Sequence, residues 1–261
     1  MQKYYGWGLP VNISTHGAGI DRLIYLMHIL MFVLFIGWGI FFVYALIRFR
    51  QKDGHKAHYH TKHFKIPTYL EAAVAISELL LLTAFAMPIW HHLKTDFPAG
   101  ADAVKIRVVA QQFAWNVHYP GKDGVFGKVD PKFMDSSNPL GLDPGDPAGK
   151  DDVATINQLH IPVNTPVSVQ LTSKDVIHCF NLPVMRIKQD AIPGMMIPVW
   201  FEANQTGDFE IACAQLCGLG HYRMRGFFIV ESKDKFQAWL AEQAPQTAPP
   251  AATASQGGQV S

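Results

Sequence analysis

The sequence carries little charge of either sign and shows no cleavable leader. Charged residues make up 16% of the chain and the formal net charge is +1, so the charge balance gives no reason to expect a nucleic-acid partner. No charged segment with a short apolar stretch and a small-residue cleavage site precedes the first long apolar run, which predicts that this run is retained. The segment 244–261 lacks charged and aromatic residues, and we expect a disordered tail there.

Charge is also absent from a long N-terminal stretch. Residues 23–47 contain no Asp, Glu, Lys or Arg, and at about 1.5 Å per residue a helix of this length exceeds the roughly 30 Å hydrocarbon core of a bilayer. A second apolar run, 69–90, carries Glu71 and Glu78. The pattern predicts a two-helix transmembrane hairpin over 23–94, preceded by an extracytoplasmic segment, 1–22.

The loop between the two runs, 48–68, is basic. Its single acidic residue is Asp53, whereas its basic residues are Arg48, Arg50, Lys52, Lys56, Lys62 and Lys65. This asymmetry predicts a cytoplasmic loop, so both ends of the multi-pass chain lie on the other side of the membrane. Four histidines of the same loop form either a metal-binding tract or, as we favour, polar filler: His55, His58, His60 and His63.

Beyond residue 95 the apolar residues alternate with polar ones in short runs. Val167, Val169 and Leu171, for example, alternate with polar neighbours, which is typical of half-buried strands. Evenly spaced short strands predict an all-β, antiparallel sandwich or barrel over 95–243. A short helix is expected over 233–242 after Ser232, a residue suited to an N-cap.

The region 120–152 is predicted to be a long loop between strands, because it is rich in Gly, Pro, Asp and Lys. Four of its carboxylates could bind a hard cation, but they lack the ligand spacing of a calcium loop. We therefore favour a solvated loop for Asp143, Asp146, Asp151 and Asp152.

The C-terminal part of the domain contains a group of soft metal ligands. Cys213, Cys217, His221 and Met224 lie within twelve residues, and His178 lies on a strand-like segment upstream. Thiolate and thioether sulfurs favour copper, whereas a closed zinc site has no place for a methionine. Two thiolates four residues apart suggest a dinuclear centre. The alternatives are a disulfide, or two buried cysteines beside an unrelated His and Met.

The run Cys213-Ala-Gln215-Leu-Cys217-Gly-Leu-Gly-His221-Tyr-Arg-Met224 resembles the motif Cys-x-Glu-x-Cys-Gly-x-x-His-x-x-Met of subunit II of the haem-copper cytochrome c oxidases. The resemblance continues in 174–178 and 188–194 and covers residues from about 20 to about 240. It implies a cupredoxin-like domain with a dinuclear copper centre, CuA. The implied ligands are His178, Cys213, Cys217, His221, Met224 and the backbone carbonyl of Gln215.

By this resemblance the chain is the electron-accepting subunit of a proton-pumping terminal oxidase in a bacterial cytoplasmic membrane, with its copper domain on the periplasmic side. Electrons would come from cytochrome c or another respiratory complex and pass to haem in subunit I, where oxygen is reduced to water. The implied partners are subunit I, other oxidase subunits and membrane lipid. No Cys-x-x-Cys-His follows Met224, so the donor haem should belong to a separate protein.

Two departures from the family pattern bear on the details of that resemblance. The family's central Glu also binds a magnesium ion shared with subunit I; Gln215 lacks the charge, so we do not expect that ion. The family's Gln-Trp-x-Trp run, which helps electrons enter, is here Gln112-Phe113-Ala114-Trp115. Trp115 or Tyr119 could take over this role, or both could serve only strand packing.

Glu71 and Cys179 each allow an interpretation from their place in the sequence. A Leu-Glu pair at the start of the second helix lies at the entrance of a proton pathway in the family, and Glu71 follows Leu70 here. The alternative is a solvated carboxylate near a helix N-terminus. Cys179 follows His178 on an alternating strand and should point the other way, as a small buried residue.

Other classes of protein fit the sequence less well. A membrane-tethered copper-binding or delivery protein would also need soft thiolates, but it has no need of a two-helix membrane hairpin that bears carboxylates. A quinol oxidase relative shares the fold without copper, and the retained ligand residues oppose it. The sequence therefore favours the oxidase subunit, with copper delivery as the alternative.

Overall fold

The computed structural model describes residues 8–54, 56, 65–98 and 103–244. The predicted tail and the four loop histidines lie outside these residues, apart from Ala244. Two helical rods come first: α1 spans Gly17–Arg48, and the second rod runs through α2, Ile66–Leu80, a π-helical segment, Leu81–Ala86, and α3, Met87–Thr95. Both rods are long and apolar enough to cross a membrane, and their apolar windows are unburied within the chain, as expected of helices that face lipid.

The rods are longer than predicted. The first begins at Gly17 rather than 23, and the second covers Ile66–Thr95 rather than 69–90. Polar end residues extend each helix beyond the apolar run, and Pro67 is tolerated because it lies in the first turn. Pro88 has no N–H to donate, and it is the second residue after the π-helical segment, where the regular helical hydrogen-bond ladder is already interrupted.

Within the described residues, ten strands form a two-layer sandwich. The first sheet has the order β3-β2-β1-β5-β8 and the second the order β4-β10-β9-β6-β7. The strands are β1 Val104–Gln111, β2 Ala114–Tyr119, β3 Val153–Ile156, β4 Gln158–Pro162, β5 Pro166–Ser173, β6 His178–Leu182, β7 Ile187–Ala191, β8 Ile197–Glu202, β9 Gly207–Cys213 and β10 Arg225–Glu231.

The expected sandwich or barrel is a sandwich, but its predicted antiparallel pairing was wrong for two strand pairs. β1 pairs with β5 in parallel, and β10 pairs with β4 in parallel. A parallel pair needs a long crossover, and the chain provides one each time by crossing to the other sheet between the two strands. Alternating hydrophobicity predicts which face of a strand is buried but not the direction of its neighbour.

The core lies between the two sheets. Val167, Val169 and Leu171 of β5 are fully buried, as their alternation predicted. The closing helix α4 spans Lys233–Gln243, and the Ser232 side chain accepts a hydrogen bond from the Lys235 N–H as its N-cap. Its Trp239 stacks on His160 with ring centroids 3.9 Å apart, so the helix is packed on the sandwich.

The region 120–152 connects β2 to β3 and is tied to the sandwich by a buried hydrogen bond. His118 Nε2 lies 2.6 Å from Asp152 Oδ2, and neither side chain is exposed. Asp152 also accepts hydrogen bonds from the backbone N–H groups of Gly121 and Gly127. Asp143 and Asp146 likewise accept from backbone N–H groups, so these carboxylates hold the loop together and, among the described residues, do not form a metal-binding group.

The N-terminal residues 8–16 run along the sandwich before α1 begins. Ile13 is fully buried, its N–H donates to the Val184 carbonyl, and its own carbonyl accepts from the Asn204 N–H. The Thr15 N–H donates to the Glu202 carbonyl. We call residues 8–16 the N-terminal strap, since they join the first membrane helix to the β-domain.

Candidate metal centre

The soft ligands of the sequence come together at one end of the sandwich. Cys213 ends β9, the 3₁₀ turn His221–Arg223 follows the loop, and Met224 immediately precedes β10. β9 and β10 pair antiparallel, with Ala212 opposite Arg225. The pairing brings the two ends of the loop together, so that residues eleven positions apart in sequence face one site.

All six predicted ligands lie close to a pair of sulfur atoms. The two cysteine Sγ atoms are 3.8 Å apart. Cys213 Sγ lies 4.0 Å from His178 Nδ1 and 3.2 Å from the Gln215 carbonyl oxygen. Cys217 Sγ lies 3.6 Å from His221 Nδ1 and 3.7 Å from Met224 Sδ. Each sulfur is therefore the centre of its own half of the ligand set.

The cysteines of the site are free thiols, not a disulfide. Burial, and then the neighbouring Cys213, raise the pKa of the Cys217 thiol to about 11, so in the absence of metal it is protonated at neutral pH. A metal ion must displace that proton, since the thiolate is the form that binds. Two sulfurs, two imidazoles, a thioether and a carbonyl are donors that fit copper, and His178, Cys213 and Cys217 form a metal-capable group.

His178 is held in place by Asp175, which no pattern in the sequence marks as functional. Asp175 Oδ1 lies 2.8 Å from His178 Nε2, which leaves Nδ1 facing the sulfurs. The second oxygen of Asp175 accepts a hydrogen bond from the Gln112 N–H. Burial opposes the charged form, but this bond, the His178 contact and the Val176 N–H outweigh it and lower the pKa of Asp175. A carboxylate behind a ligand histidine fixes its tautomer and orientation.

The turn between β1 and β2 closes over the metal loop. Gln112 Nε2 donates a 2.7 Å hydrogen bond to the Cys217 carbonyl. The Phe113 ring packs against Gly218 and Gly220 so closely that a Cβ at Gly220 would overlap it. The glycines of the loop are therefore needed for the close approach of Phe113. This contact could not be predicted from the sequence, because the turn precedes the loop by about a hundred residues.

The two aromatic candidates for electron passage are buried. Trp115 is fully inaccessible, and its ring lies 6.3 Å from that of His178 and 5.6 Å from that of Phe180. Tyr119 is 1% exposed and its hydroxyl donates to the His160 carbonyl. Neither ring can be touched by a docked protein, whereas Phe113 is only partly buried at the loop.

Cys179 stands apart from the site. It is buried and pairs across the ladder with Asp190 on β7. Burial, and then Asp190, raise the pKa of this thiol to about 12. Cys179 is thus a protonated core residue.

The two remaining predicted positions are exposed. Glu71 lies near the start of α2 and makes no ion pair or hydrogen bond within the part of the chain that the structure describes. The side chain of Gln215 is also exposed, while its carbonyl faces Cys213 Sγ.

The tip of the metal loop presents apolar side chains to solvent. Leu216, Leu219 and Tyr222 are 77%, 97% and 85% exposed. All three lie between or beside the ligand residues. Apolar side chains clustered on an otherwise polar surface are typical of a contact site for another protein.

Comparison with known proteins places the chain among oxidase subunits. Residues 104–232 match the family described as cytochrome c oxidase subunit II, periplasmic domain. The alternative cytochrome c oxidase subunit 2 of Bradyrhizobium diazoefficiens is 36% identical over 238 residues, which are 91% of this chain and 84% of that protein. Cytochrome c oxidase subunit 2 of Cereibacter sphaeroides is 29% identical over 251 residues, with 89% and 77% covered.

A solved structure, the periplasmic domain of cytochrome oxidase subunit II from Bradyrhizobium japonicum, is 31% identical, covers 56% of this chain and 95% of that chain, and gives a TM-score of 0.41. The β-domain is a cupredoxin-like sandwich joined to two apolar helices. The family match includes every predicted metal ligand, and the first relative extends over both helices as well. The chain therefore belongs to the cytochrome c oxidase subunit II family.

Proposed function

We propose that this chain is the subunit through which electrons enter a proton-pumping terminal oxidase, and that His178, Cys213, Gln215, Cys217, His221 and Met224 hold a dinuclear copper centre. The observation that carries the proposal is the pair of free thiols 3.8 Å apart, each with its own imidazole. With copper bound, such a centre would accept and release one electron at a time.

The residues of the chain suit electron transfer better than bond-making chemistry. Protein donors surround both sulfurs, so little room remains for a substrate. Asp175 and Gln112 hold His178 and the Cys217 carbonyl from outside. A ligand set fixed from outside changes little in geometry on reduction, which favours rapid transfer.

The proposed donor, cytochrome c or another respiratory complex, would contact the exposed apolar loop tip formed by Leu216, Leu219 and Tyr222. Phe113 stands beside this tip, and Trp115 lies beneath His178. We therefore propose that electrons from the donor enter near Phe113 at the surface, and that Trp115 is a buried part of the electron path to the metal centre.

We further propose that the copper domain faces the periplasm and that subunit I covers the membrane helices. The basic residues of the helix connector, including Arg48 and Arg50, support a cytoplasmic loop. Glu71 has no described intrachain partner, so its carboxylate is free for the proposed proton pathway. The neutral Gln215 gives no support to a shared magnesium ion.

The test is copper binding by the purified full-length chain. We expect two copper ions per chain, the optical and electron paramagnetic resonance spectra of a mixed-valence thiolate pair, and proton release on binding. Cys217→Ala should abolish the mixed-valence spectrum. The matched control is Cys179→Ala, which removes a buried thiol outside the ligand set and should leave copper content and spectrum unchanged.

The alternative of copper delivery predicts a different result. A single copper ion per chain that exchanges readily with a soluble chelator would contradict the electron-transfer proposal and favour delivery. Purification of the chain from its native membrane adds a second criterion, because an oxidase subunit should bring haem with it and a lone copper carrier should not.

A further inference from the structure

One arginine of the β-domain joins the turn between β6 and β7 to the first membrane helix. β6 carries the candidate ligand His178. Arg186 Nε lies 2.6 Å from Asp21 Oδ1, and Nη2 lies 3.1 Å from Asp21 Oδ2. The two side chains are 7% and 18% exposed. A two-point contact between a guanidinium and a carboxylate fixes orientation as well as distance.

The same guanidinium also hydrogen-bonds to the N-terminal strap. Nη2 donates to the Pro10 carbonyl at 2.7 Å, and Nη1 donates to the Pro183 carbonyl at 2.7 Å. Arg186 thus touches the strap, α1 and its own turn at once. Because α1 begins only one residue after the strap ends, these contacts hold the junction between helix and domain.

Arg186 occupies a backbone position that disfavours side chains. Its φ is 57°, in the left-handed region where glycine is preferred. A residue with a Cβ is unfavourable there, and the contacts of the guanidinium offset that cost. The turn itself would favour glycine at this position, so arginine is explained by the contacts of its side chain and not by the backbone conformation.

The turn that carries Arg186 is linked to the metal site through the strand pair β6–β7. β7 begins at Ile187 and pairs with β6, with Leu182 opposite Ile187 and His178 opposite Ala191. The copper ligand lies at the far end of this five-residue pair, roughly 15 Å away. A second link, from Lys94 Nζ to Gln189 Oε1 at 2.7 Å, ties β7 to the other membrane rod.

We propose that Arg186 and Asp21 form a positioning clamp that sets the place of the His178-bearing strand pair relative to the membrane helices, and with it the distance from the metal centre to its electron acceptor in the membrane. The clamp touches no ligand and acts through β6 and β7. This inference rests on the proposed electron-transfer function for its consequence, but the clamp itself can be tested separately.

The experiment uses the intact oxidase complex carrying Arg186→Gly or Asp21→Asn. Arg186→Gly keeps the left-handed backbone and removes the guanidinium, and Asp21→Asn removes only the charge. Asn164→Gly is the matched control, since Asn164 also has a positive φ, of 52°, but takes no part in the Arg186–Asp21 ion pair. Arg186→Lys is the milder variant should Arg186→Gly fail to assemble.

Three readouts separate a positioning role from a merely structural one. Hydrogen exchange of the Ile13 and Thr15 amides should quicken in both clamp variants, because the strap loses its anchor. Copper content and spectrum should stay unchanged. Transfer from the metal centre to haem after flash reduction should slow severalfold, because the electron tunnelling rate falls exponentially with distance and the released strand pair no longer holds the metal centre at a fixed distance from its acceptor.

The charge-exchanged variant, Asp21→Arg with Arg186→Asp, should restore part of the transfer rate. Unchanged hydrogen exchange in Arg186→Gly and Asp21→Asn would overturn the clamp. Unchanged transfer despite faster exchange, or an altered copper spectrum, would overturn its positioning role. If the unaltered complex itself transfers no electron from this site to haem, the proposed function fails, and hydrogen exchange alone still decides whether the clamp exists.

Discussion

At the scale of single residues, Asp175 is the clearest example of a group that acts through another. Its carboxylate holds His178 Nε2 at 2.8 Å. We expect Asp175→Asn to weaken copper binding by about 10- to 100-fold, the usual effect of removing such a support. Competition of the purified chain against a chelator of known copper affinity measures this change. Asp208→Asn, at an exposed position at the start of β9, is the control, and equal affinities for both variants would show that Asp175 has no orienting role.

The residues of the site were predictable to different degrees. The ligands from Cys213 to Met224 lie within one loop, so their spacing in the sequence already limits the distances between them. Their supports come from elsewhere. Gln112 reaches the Cys217 carbonyl from another sheet, and no sequence pattern links two residues that meet only after both sheets have folded.

At the scale of elements, the metal loop and the β1–β2 turn form one packing unit. Phe113 fills the space left by Gly218 and Gly220. Gly220→Ala would force the ring aside, and overpacking of this kind costs about 1–3 kcal/mol. We expect a lower free energy of unfolding and weaker copper retention. Denaturant titration of the full-length chain measures the first, and copper analysis after dialysis measures the second.

A double variant tests whether the ring is the cause. Adding Phe113→Ala to Gly220→Ala should relieve the overlap, so that the double variant loses less stability than the sum of the two single changes. Gly19→Ala is a control, because a Cβ there meets only Ile89, at 3.6 Å. Strict additivity would mean that the loop and the turn do not share this contact.

The elements themselves followed well from the sequence, and their partners did not. Alternation in β5 and the N-cap Ser232 predicted a strand and a helix that the structure contains, because both signals are local. The parallel partners of β1 and β10 depend on crossovers between sheets, which local periodicity does not encode.

At the scale of the whole molecule, the hydropathy of the sequence predicted the two membrane helices, but it did not predict how they attach to the β-domain. The attachment is built from single residues of separate elements, such as Arg186 with Asp21 and His16 with Trp200. Each of these residues has an ordinary local context. Only the folded chain brings them to one junction, at the boundary between the membrane helices and the sandwich.

The junction also predicts a dependence on pH. His16 is 9% exposed, and its ring lies against Trp200 of β8 and His92 of α3, which is itself hydrogen-bonded to Asp96. Burial, and then His92, lower the pKa of His16 from 6.5 to about 4. The unfolded chain therefore binds a proton between these values that the folded chain does not. The contribution of His16 to the free energy of unfolding should be fully present above about pH 6.5. It should fall toward pH 4 by up to about 1.4 kcal/mol per pH unit.

Comparison with His16→Phe isolates this contribution from that of other titrating groups. Phenylalanine keeps a ring between Trp200 and His92 but cannot be protonated. Thermal unfolding of the detergent-solubilised chain, followed from about pH 7 to about pH 4.5, should show a smaller acid-induced fall in midpoint for the variant, because acid no longer favours release of the strap through His16. Parallel curves for the two proteins would assign the acid sensitivity to groups elsewhere and leave His16 with a packing role alone.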